Sequence, residues 1–347
     1  LENIFVFRKA IGVTTGILPW NFPFFLIARK MAPALVTGNT CVIKPASATP
    51  INAMEFARIA AQVGLPDGVF SLLSGPGSIG GYLAGHPDVD IVSFTGSVEV
   101  GQKIMSAASR NITKVSLELG GKAPAIVLDD ADLDLAVGAI KASRVINSGQ
   151  VCNCAERVYV TRGVADEFIS KMTAAMAATR YGDPSIETDL DMGALIDRSA
   201  VERIAGMVDA AVSAGATATT GGKVADRDRG YFYEPTVLAD VTSQMSVARD
   251  EIFGPVLPIM VVDDFDEAIK RANDSEYGLT SSLYTTSLAN AMRGMREIDF
   301  GETYINRENF EAMQGFHAGT RKSGIGGADG RHGVEEFTRT QMVYIES

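Results

Sequence analysis

The stretch SGQVCNCAERVYV, residues 148 to 160, contains two cysteines that could do chemistry. Such a pair could bind a metal, form a redox couple, or supply one reactive thiol beside a neighbour. The C-x-C spacing differs from the C-x-x-C of thiol oxidoreductases, and the remaining Cys and His residues are too scattered to complete a zinc site. A thiol in a loop after a helix, where Gly149 permits unusual backbone geometry, is placed for nucleophilic attack. The pattern favours one reactive thiol, and packing as a small apolar side chain is the alternative.

Two glycine-containing stretches could bind the phosphates of a nucleotide. GPGSIG, residues 75 to 80, fits G-x-G-x-x-G after an apolar run. In FTGSVEVG, residues 94 to 101, Gly96 and Ser97 open a predicted helix whose amide groups face outward. The chain contains 35 glycines, and no acidic residue follows GPGSIG at the expected distance. Spacing alone therefore leaves each stretch open as a phosphate site or as an ordinary helix start.

Composition limits the class of protein. The 347 residues are enough for two domains, and 46% apolar with 21% charged residues is typical of a globular protein. A net charge of −11 argues against nucleic-acid and anionic-membrane partners. No apolar run reaches the roughly 18 residues of a membrane helix. Three cysteines and no recognisable secretory leader predict a reducing, cytoplasmic location.

Strand-like and helical patterns alternate along the chain. From about residue 10 to 120 each short apolar run is followed by a helical stretch, which predicts a doubly wound parallel sheet. After ELGGKAP a second α/β set continues to about residue 300, with Asp130 as a predicted helix cap. The end segments ENIFVFRKA and TRTQMVYIES read as strands that pair with each other or with a neighbouring subunit.

Six motifs carry a family resemblance. They are PWNFP, VIKPAS, FTGS, ELGGKAP, GQVC and EIFGPVLP, and their order and spacing resemble the aldehyde dehydrogenase superfamily over essentially the whole chain. The resemblance implies an α/β fold with a Rossmann-like cofactor domain, an α/β catalytic domain and small oligomerisation strands. It also implies a homo-oligomer, dimer or tetramer. The expected organisation is an oligomerisation strand at 1–10, a partial NAD(P)-binding domain at 11–119, a catalytic domain at 120–318, and a return segment with a second oligomerisation strand at 319–347.

The chain departs from the family pattern in the region before PWNFP. Family members normally carry a much longer region before PWNFP than the 18 residues found here, so we expect an amino-terminal region to be missing.

The resemblance assigns three catalytic roles. By resemblance, Cys152 is the nucleophile that captures the aldehyde carbon as a thiohemiacetal and then holds a thioester. The Asn21 amide, together with the Cys152 backbone N–H, would bind the oxyanion. Glu118 would activate the water that releases a free acid rather than a coenzyme A ester.

The resemblance also implies NAD or NADP as cofactor. Lys44 would contact the adenosine ribose, Gly96 and Ser97 the pyrophosphate, and Glu251 with Phe253 the nicotinamide ribose. Ser47 stands where NAD-preferring relatives often carry Glu, so we expect NADP to be tolerated. Trp20 and Gly75, the latter near the adenine, complete the expected cofactor-binding set. No metal is expected.

The substrate predicted from the resemblance is a small aldehyde. CNCAERVYV and ETYINRENFEAMQGFHAG resemble the lactaldehyde and glycolaldehyde dehydrogenases of the family. A hydroxyl buried in an apolar funnel needs polar partners. Candidate partners are Arg29, Asn153, Glu311 and His317. The alternatives are a succinate-semialdehyde type dehydrogenase, in which Arg29 anchors a carboxylate, and a truncated relative without activity.

Overall fold

The computed structural model describes residues 2–346. The strands are β1 Glu2–Ala10, β2 Val13–Ile17, β3 Thr40–Lys44, β4 Phe70–Leu72, β5 Ile91–Thr95, β6 Lys114–Glu118, β7 Ala123–Val127, β8 Ala155–Thr161, β9 Thr217–Thr220, β10 Thr236–Ala239, β11 Val256–Val262, β12 Tyr277–Gly278, β13 Thr280–Tyr284, β14 Glu302–Ile305, β15 Thr320–Arg321, β16 Gly324–Ile325 and β17 Thr338–Glu346.

The helices alternate with these strands. They are α1 Pro23–Val36, α2 Ile51–Gln62, α3 Gly77–Ala84, α4 Val98–Ala108, α5 Leu133–Val145, α6 Ala165–Ala177, α7 Arg198–Ser213, α8 Ser246–Arg249, α9 Phe265–Asn273, α10 Leu288–Glu297 and α11 Gly330–Glu336. None of those in the described part of the chain is both long and apolar enough to cross a membrane.

The chain forms two compact units. Unit 1 contains the described residues up to Leu119 together with those from Glu311 onward, and unit 2 is Gly120–Phe310. Each unit has its own central sheet and its own buried apolar clusters. The predicted α/β class with parallel sheets is confirmed.

Unit 1 contains a six-stranded sheet in the order β16-β6-β5-β2-β3-β4. β2 pairs in parallel with both β3 and β5, while β16 is antiparallel to β6. The chain therefore builds the sheet outward from β2 in two directions. In such a sheet a crevice forms at the carboxyl ends of the strands where the direction changes, here β2 and β5.

The two chain ends of unit 1 form a separate ribbon. β1 and β17 pair antiparallel from Glu2 opposite Glu346 to Ala10 opposite Thr338, which is the first of the two alternatives predicted for the end strands. Ser347 lies outside the described residues. Apolar side chains remain exposed on this ribbon, among them Val6 at 62% and Tyr344 at 61%.

Unit 2 contains a seven-stranded sheet in the order β14-β13-β7-β8-β11-β10-β9, parallel except for β9. All five residues of β7 and all seven of β8 are buried, as expected for a parallel sheet covered on both faces. β8 lies centrally, and the GQVC stretch leads directly into it.

The prediction that Asp130 caps the helix after β7 is wrong. Asp132 is the N-cap of α5, and its side chain accepts a hydrogen bond from the Leu135 N–H at 3.0 Å. The Asp130 carboxylate instead accepts hydrogen bonds from the Thr286 and Ser287 N–H groups at 3.0 and 2.8 Å. Both aspartates suit a cap, and only the position of the 285–287 segment decides between them.

Candidate active site

A cavity of about 510 Å³ lies in unit 1 at the carboxyl ends of β2 and β5. Four of the predicted cofactor-binding residues line it: Trp20, Lys44, Gly96 and Ser97. Ser97 is the N-cap of α4, where its Oγ accepts a hydrogen bond from the Val100 N–H at 3.4 Å. The first turn of α4 thus presents its amide groups at this cavity, which is a suitable environment for a phosphate.

Both stretches proposed for phosphate binding meet at this cavity. Gly77, Gly80 and Gly81 of the GPGSIG segment and its helix line the same space as Gly96. The spacing of the glycines could not decide between the two stretches. The fold shows that both line the same cavity. The amino-terminal ends of α3 and α4 both contribute residues to the cavity.

Two further residues predicted to bind the cofactor contact each other. The Ser47 Oγ donates to the Gly75 carbonyl oxygen at 3.0 Å. Burial lowers the pKa of Lys44, the lysine of VIKPAS, which is 5% exposed.

Glu118 ends β6 and is 4% exposed. Its backbone carbonyl accepts a hydrogen bond from the Gly96 N–H at 3.0 Å, so its position is tied to the cavity rim. Its carboxylate oxygen Oε2 lies 3.6 Å from Nε2 of His317, which the sequence placed with the substrate residues. Unit 1 therefore brings the predicted base and the predicted substrate histidine together.

Lys30 is a buried residue of this region that the sequence analysis missed. Its Nζ donates to Ser93 Oγ at 3.0 Å, and Leu26, Ile27 and Ala34 of the same helix are also buried. Burial lowers the pKa of Lys30 to about 8, and the negative charge of Glu118 opposes that shift. The available signal was the pair of cations at the centre of an apolar helix.

Arg29, Glu311 and Asp329 form a buried cluster in unit 1. Arg29 Nη2 donates to Glu311 Oε1 at 2.6 Å, Arg29 Nε donates to Asp329 Oδ1 at 3.2 Å, and Nη2 also pairs with Asp329 Oδ2. Burial alone would raise the pKa of Glu311, but the charges of His317 and Arg29 hold it below its usual value. Asp329 was not predicted, because an Asp-Gly pair reads as a turn.

Asn21 lies in unit 1, in the turn immediately before α1, and its side chain is partly exposed. Cys152, its predicted partner in catalysis, belongs to unit 2.

Cys152 lies in a tight loop between α5 and β8. Asn147, Ser148 and Gly149 all adopt positive φ angles, of 46°, 58° and 76°, which confirms the unusual backbone predicted for this loop. Of the three cysteines in the sequence, Cys152 is partly exposed and the other two are buried. Burial raises the pKa of Cys154 to about 12 and that of Cys41 to about 11, so both remain protonated thiols.

The neighbours of Cys152 on the loop are fixed by the core of unit 2. Cys154 Sγ donates to the Val151 carbonyl oxygen at 2.9 Å, which favours the packing role for this cysteine. Asn153 is 6% exposed, and its carbonyl oxygen accepts a hydrogen bond from Thr280 Oγ1 at 2.7 Å.

The two glycines of ELGGKAP lie close to other residues of unit 2, and at Gly121 the neighbour is main chain that a side chain would have to displace. A Cβ on Gly121 would lie 2.2 Å from the Cys152 carbonyl oxygen, and a Cβ on Gly120 would lie 2.6 Å from Glu251 Oε2. The Gly121 N–H donates to Glu251 Oε1 at 2.8 Å. Burial, followed by the charge of Glu156, raises the pKa of Glu251 to about 8.

Three buried charged residues of unit 2 were also missed. Lys122, Arg144 and Glu156 are each 0% exposed and form an ion-pair network. The sequence signal for Glu156 was present in AERVYV, where Glu156 and Arg157 interrupt an apolar strand. Phe253, by contrast, was predicted, and its N–H joins this network by donating to Glu156 Oε1 at 3.1 Å.

We predict that Gly121→Ala destabilises the protein by about 1–3 kcal/mol, because its Cβ must displace the main chain at Cys152. Gly138→Ala is the matched control, since Gly138 lies within α5 with no atom within 4 Å of an added Cβ. That substitution should be neutral or stabilise by up to about 1 kcal/mol. Urea unfolding measures both, and equal stability of the two variants would contradict the close approach.

No group of three or more His, Cys, Asp or Glu residues suited to a metal ion occurs within residues 2–346. The described residues thus provide a cavity of about 510 Å³ in unit 1 and a partly exposed thiol in unit 2.

Comparison with known proteins agrees with this chemistry. The sequence matches the Aldehyde dehydrogenase family over residues 2–343. It is 61% identical to the lactaldehyde dehydrogenase of Escherichia coli over 347 residues, which are 100% of this chain and 72% of that enzyme. The crystal structure of that enzyme superposes with a TM-score of 0.98 over 100% of this chain and 72% of its own.

Two further solved structures contain a cofactor. A 3,6-anhydro-L-galactose dehydrogenase in complex with NADP is 42% identical, with 99% of this chain and 73% of that chain covered and a TM-score of 0.96. Betaine aldehyde dehydrogenase from Staphylococcus aureus in complex with NAD+ is 35% identical, with 99% and 68% covered and a TM-score of 0.95. Because the family match spans nearly all of the sequence, the chain belongs to the aldehyde dehydrogenase family, whose members are NAD(P)-dependent oxidoreductases.

Proposed function

We propose that this chain oxidises a small 2-hydroxylated aldehyde, such as lactaldehyde or glycolaldehyde, to the carboxylic acid with NAD or NADP. The observation that carries the proposal is the state of its thiols. Cys152 is partly exposed in a strained loop, while the two other cysteines are buried and protonated. The 61% identity to a lactaldehyde dehydrogenase supports the choice of substrate.

Cys152 performs the first step in this mechanism. Its thiolate attacks the aldehyde carbon and forms a thiohemiacetal, and after oxidation the acyl group remains on the sulfur as a thioester. The developing oxyanion is bound by the Asn21 amide and the Cys152 backbone N–H. When bound, the nicotinamide cofactor supplies the hydride acceptor that oxidation of an aldehyde requires.

Glu118 performs the second step. As a carboxylate at the end of β6 it accepts a proton from water, and the resulting nucleophile hydrolyses the thioester to a free acid. His317, with Nε2 at 3.6 Å from the carboxylate, is positioned to stabilise its charged form.

The cofactor is assigned to the unit 1 cavity and to one segment of unit 2. In the cavity Trp20, Lys44, Gly96 and Ser97 bind the adenosine ribose and pyrophosphate, with Ser47 and Gly75 at the adenine end. In unit 2 Glu251 accepts hydrogen bonds from the nicotinamide ribose, beside Phe253. The position of the cavity and the two helix starts that face it support the part of this assignment that lies in unit 1.

The buried cluster favours a neutral hydroxyaldehyde over a dicarboxylic semialdehyde. The Arg29 guanidinium is already paired with two carboxylates, Glu311 and Asp329, so the cluster has no excess positive charge to attract a third. The same carboxylates can accept a hydrogen bond from a substrate hydroxyl, and Asn153 with His317 completes the proposed polar set.

Reduced-cofactor absorbance during turnover of lactaldehyde, glycolaldehyde and succinate semialdehyde tests this function. We expect the hydroxyaldehydes to give the higher kcat/KM values. Cys152→Ser should lower kcat by a factor on the order of 10³ or more, because no strong nucleophile replaces the thiolate. Cys41→Ala is the control and should retain activity. Preference for succinate semialdehyde, or a Cys152→Ser variant that turns over at the rate of the parent chain, would refute the proposal.

Glu118→Gln separates the two chemical steps. The variant should produce a burst of reduced cofactor that matches the enzyme concentration, followed by turnover slowed about 10²-fold or more, because hydrolysis has lost its base. Rapid-mixing absorbance records the burst. A variant with unchanged steady-state turnover would exclude Glu118 as the base.

Ser47→Glu should raise the preference for NAD over NADP by about tenfold or more, because a carboxylate repels the 2′-phosphate and accepts bonds from the ribose hydroxyls. The ratio of kcat/KM values for the two cofactors measures the effect. Ser47→Gln is the neutral control, and an equal change in this variant would show that charge is not the cause.

The raised pKa of Glu251 predicts a pH-dependent affinity for NAD. Below about pH 8 the group holds a proton, and above it the carboxylate can accept bonds from both ribose hydroxyls. The Kd for NAD should therefore fall about fivefold to tenfold between pH 7 and pH 9. Titration calorimetry at each pH measures Kd. Glu251→Gln should bind weakly and independently of pH, and a parallel pH dependence in that variant would assign the effect to another group.

A further inference from the structure

Glu156 is a fully buried carboxylate four residues after Cys152, and the reaction proposed above does not use it. Each of its oxygens accepts two hydrogen bonds. The donors are Arg144 Nη1 at 2.8 Å and the Phe253 N–H at 3.1 Å to Oε1, and Lys122 Nζ at 2.8 Å and the Ile252 N–H at 2.9 Å to Oε2. Four donors to one carboxylate in the core fix its position closely.

Arg144 connects Glu156 to the loop that carries Cys152. Its Nη2 donates to the Gly149 carbonyl oxygen at 2.6 Å, and its Nη1 donates to the Ala155 carbonyl oxygen at 2.9 Å. These two carbonyls lie on either side of Cys152 in the chain. One guanidinium therefore holds both ends of the nucleophile loop, in a planar geometry that lysine does not reproduce.

The backbone N–H groups of Ile252 and Phe253 connect Glu156 to the segment that follows Glu251. Phe253 has φ of 50°, a left-handed conformation that a non-glycine residue adopts only when its surroundings enforce it. The two hydrogen bonds to Glu156 supply that enforcement. They set the direction in which the adjacent Glu251 side chain leaves the backbone.

The network also reaches the double-glycine turn. Lys122, which pairs with Glu156, directly follows Gly121, and the Gly121 N–H donates to Glu251. A buried ion-pair network of this kind contributes little net stability, because desolvation offsets the attraction, and its value lies in fixing geometry.

We propose that Glu156 is a positioning residue that joins the Cys152 loop to the Glu251–Phe253 segment, so that a ligand bound to this segment changes the reactivity of Cys152. The proposal rests on the proposed function, in which Glu251 and Phe253 hold the nicotinamide ribose. It adds that the two parts of the site respond to each other through one carboxylate. Glu156 itself touches neither substrate nor cofactor.

Alkylation of Cys152 by iodoacetamide, followed by mass spectrometry, tests this coupling without turnover. The rate is measured with and without saturating NAD. In the parent chain NAD should change the rate about fivefold or more in either direction. In Glu156→Gln the rates with and without NAD should agree to within about twofold, because the carboxylate that connects the Cys152 loop to the Glu251–Phe253 segment is lost. Cys41 and Cys154 are buried internal controls that should stay unmodified.

Asp130→Asn is the matched control. Asp130 is also a carboxylate that accepts several hydrogen bonds. It lies past the opposite end of β7 from Gly121 and Lys122, so it is outside the proposed connection. This variant should keep the parent ratio even if it is equally destabilised. A folded Glu156→Gln chain that keeps the parent ratio would overturn the proposal, and so would a parent chain whose Cys152 reactivity is unaffected by NAD.

Arg144→Lys decides the question if Glu156→Gln fails to fold. It preserves the charge beside Glu156 but removes the fork that holds both Gly149 and Ala155. The NAD effect on alkylation should fall to within about twofold of none, and a retained effect would overturn the proposal. A chain that binds NAD and shows the coupling but oxidises no aldehyde would refute the proposed function alone.

Discussion

The close approach of main chain at Gly120 and Gly121 is the constraint on which the site in unit 2 depends. At Gly121 the backbone lies against the Cys152 carbonyl, and at Gly120 it lies against the Glu251 carboxylate. Because Gly121 has no room for a Cβ against this main chain, and its N–H donates to Glu251, one turn contacts both the nucleophile loop and the acid. Glu118 is the last residue of β6, and only Leu119 separates this proposed base from the turn at Gly120.

Buried charge performs a second kind of positioning. Unit 2 buries Lys122, Arg144 and Glu156 together, and unit 1 buries Arg29 with Glu311 and Asp329. Neither group contributes much net free energy to folding, because the desolvation of the ions offsets most of their attraction. Their common feature is position: one lies beneath the nucleophile loop, and the other contains the residues proposed to recognise a hydroxylated substrate.

The parallel sheet of unit 1 explains why motifs that are separate in the sequence meet at one cavity. Strands that leave β2 in two directions open a cavity at their carboxyl ends, and the starts of α3 and α4 both face it. Lysine from VIKPAS, tryptophan from PWNFP and serine from FTGS reach this cavity from three different strand ends. Their separation along the chain therefore says little about their separation in space.

The sequence by itself determined the α/β class, the parallel sheets, the strand character of the two chain ends and the family, because these follow from local periodicity and from motif order. It also indicated the strained loop at Gly149, since glycine before a reactive residue is a local signal. Only the tertiary structure decided that Asp132 rather than Asp130 caps α5, and that Arg29 is paired twice. It alone showed which residues Glu156, Lys30 and Asp329 contact. The physical reason is that burial and ion pairing depend on residues distant in sequence, such as Arg29 and Asp329, whose meeting no local pattern encodes.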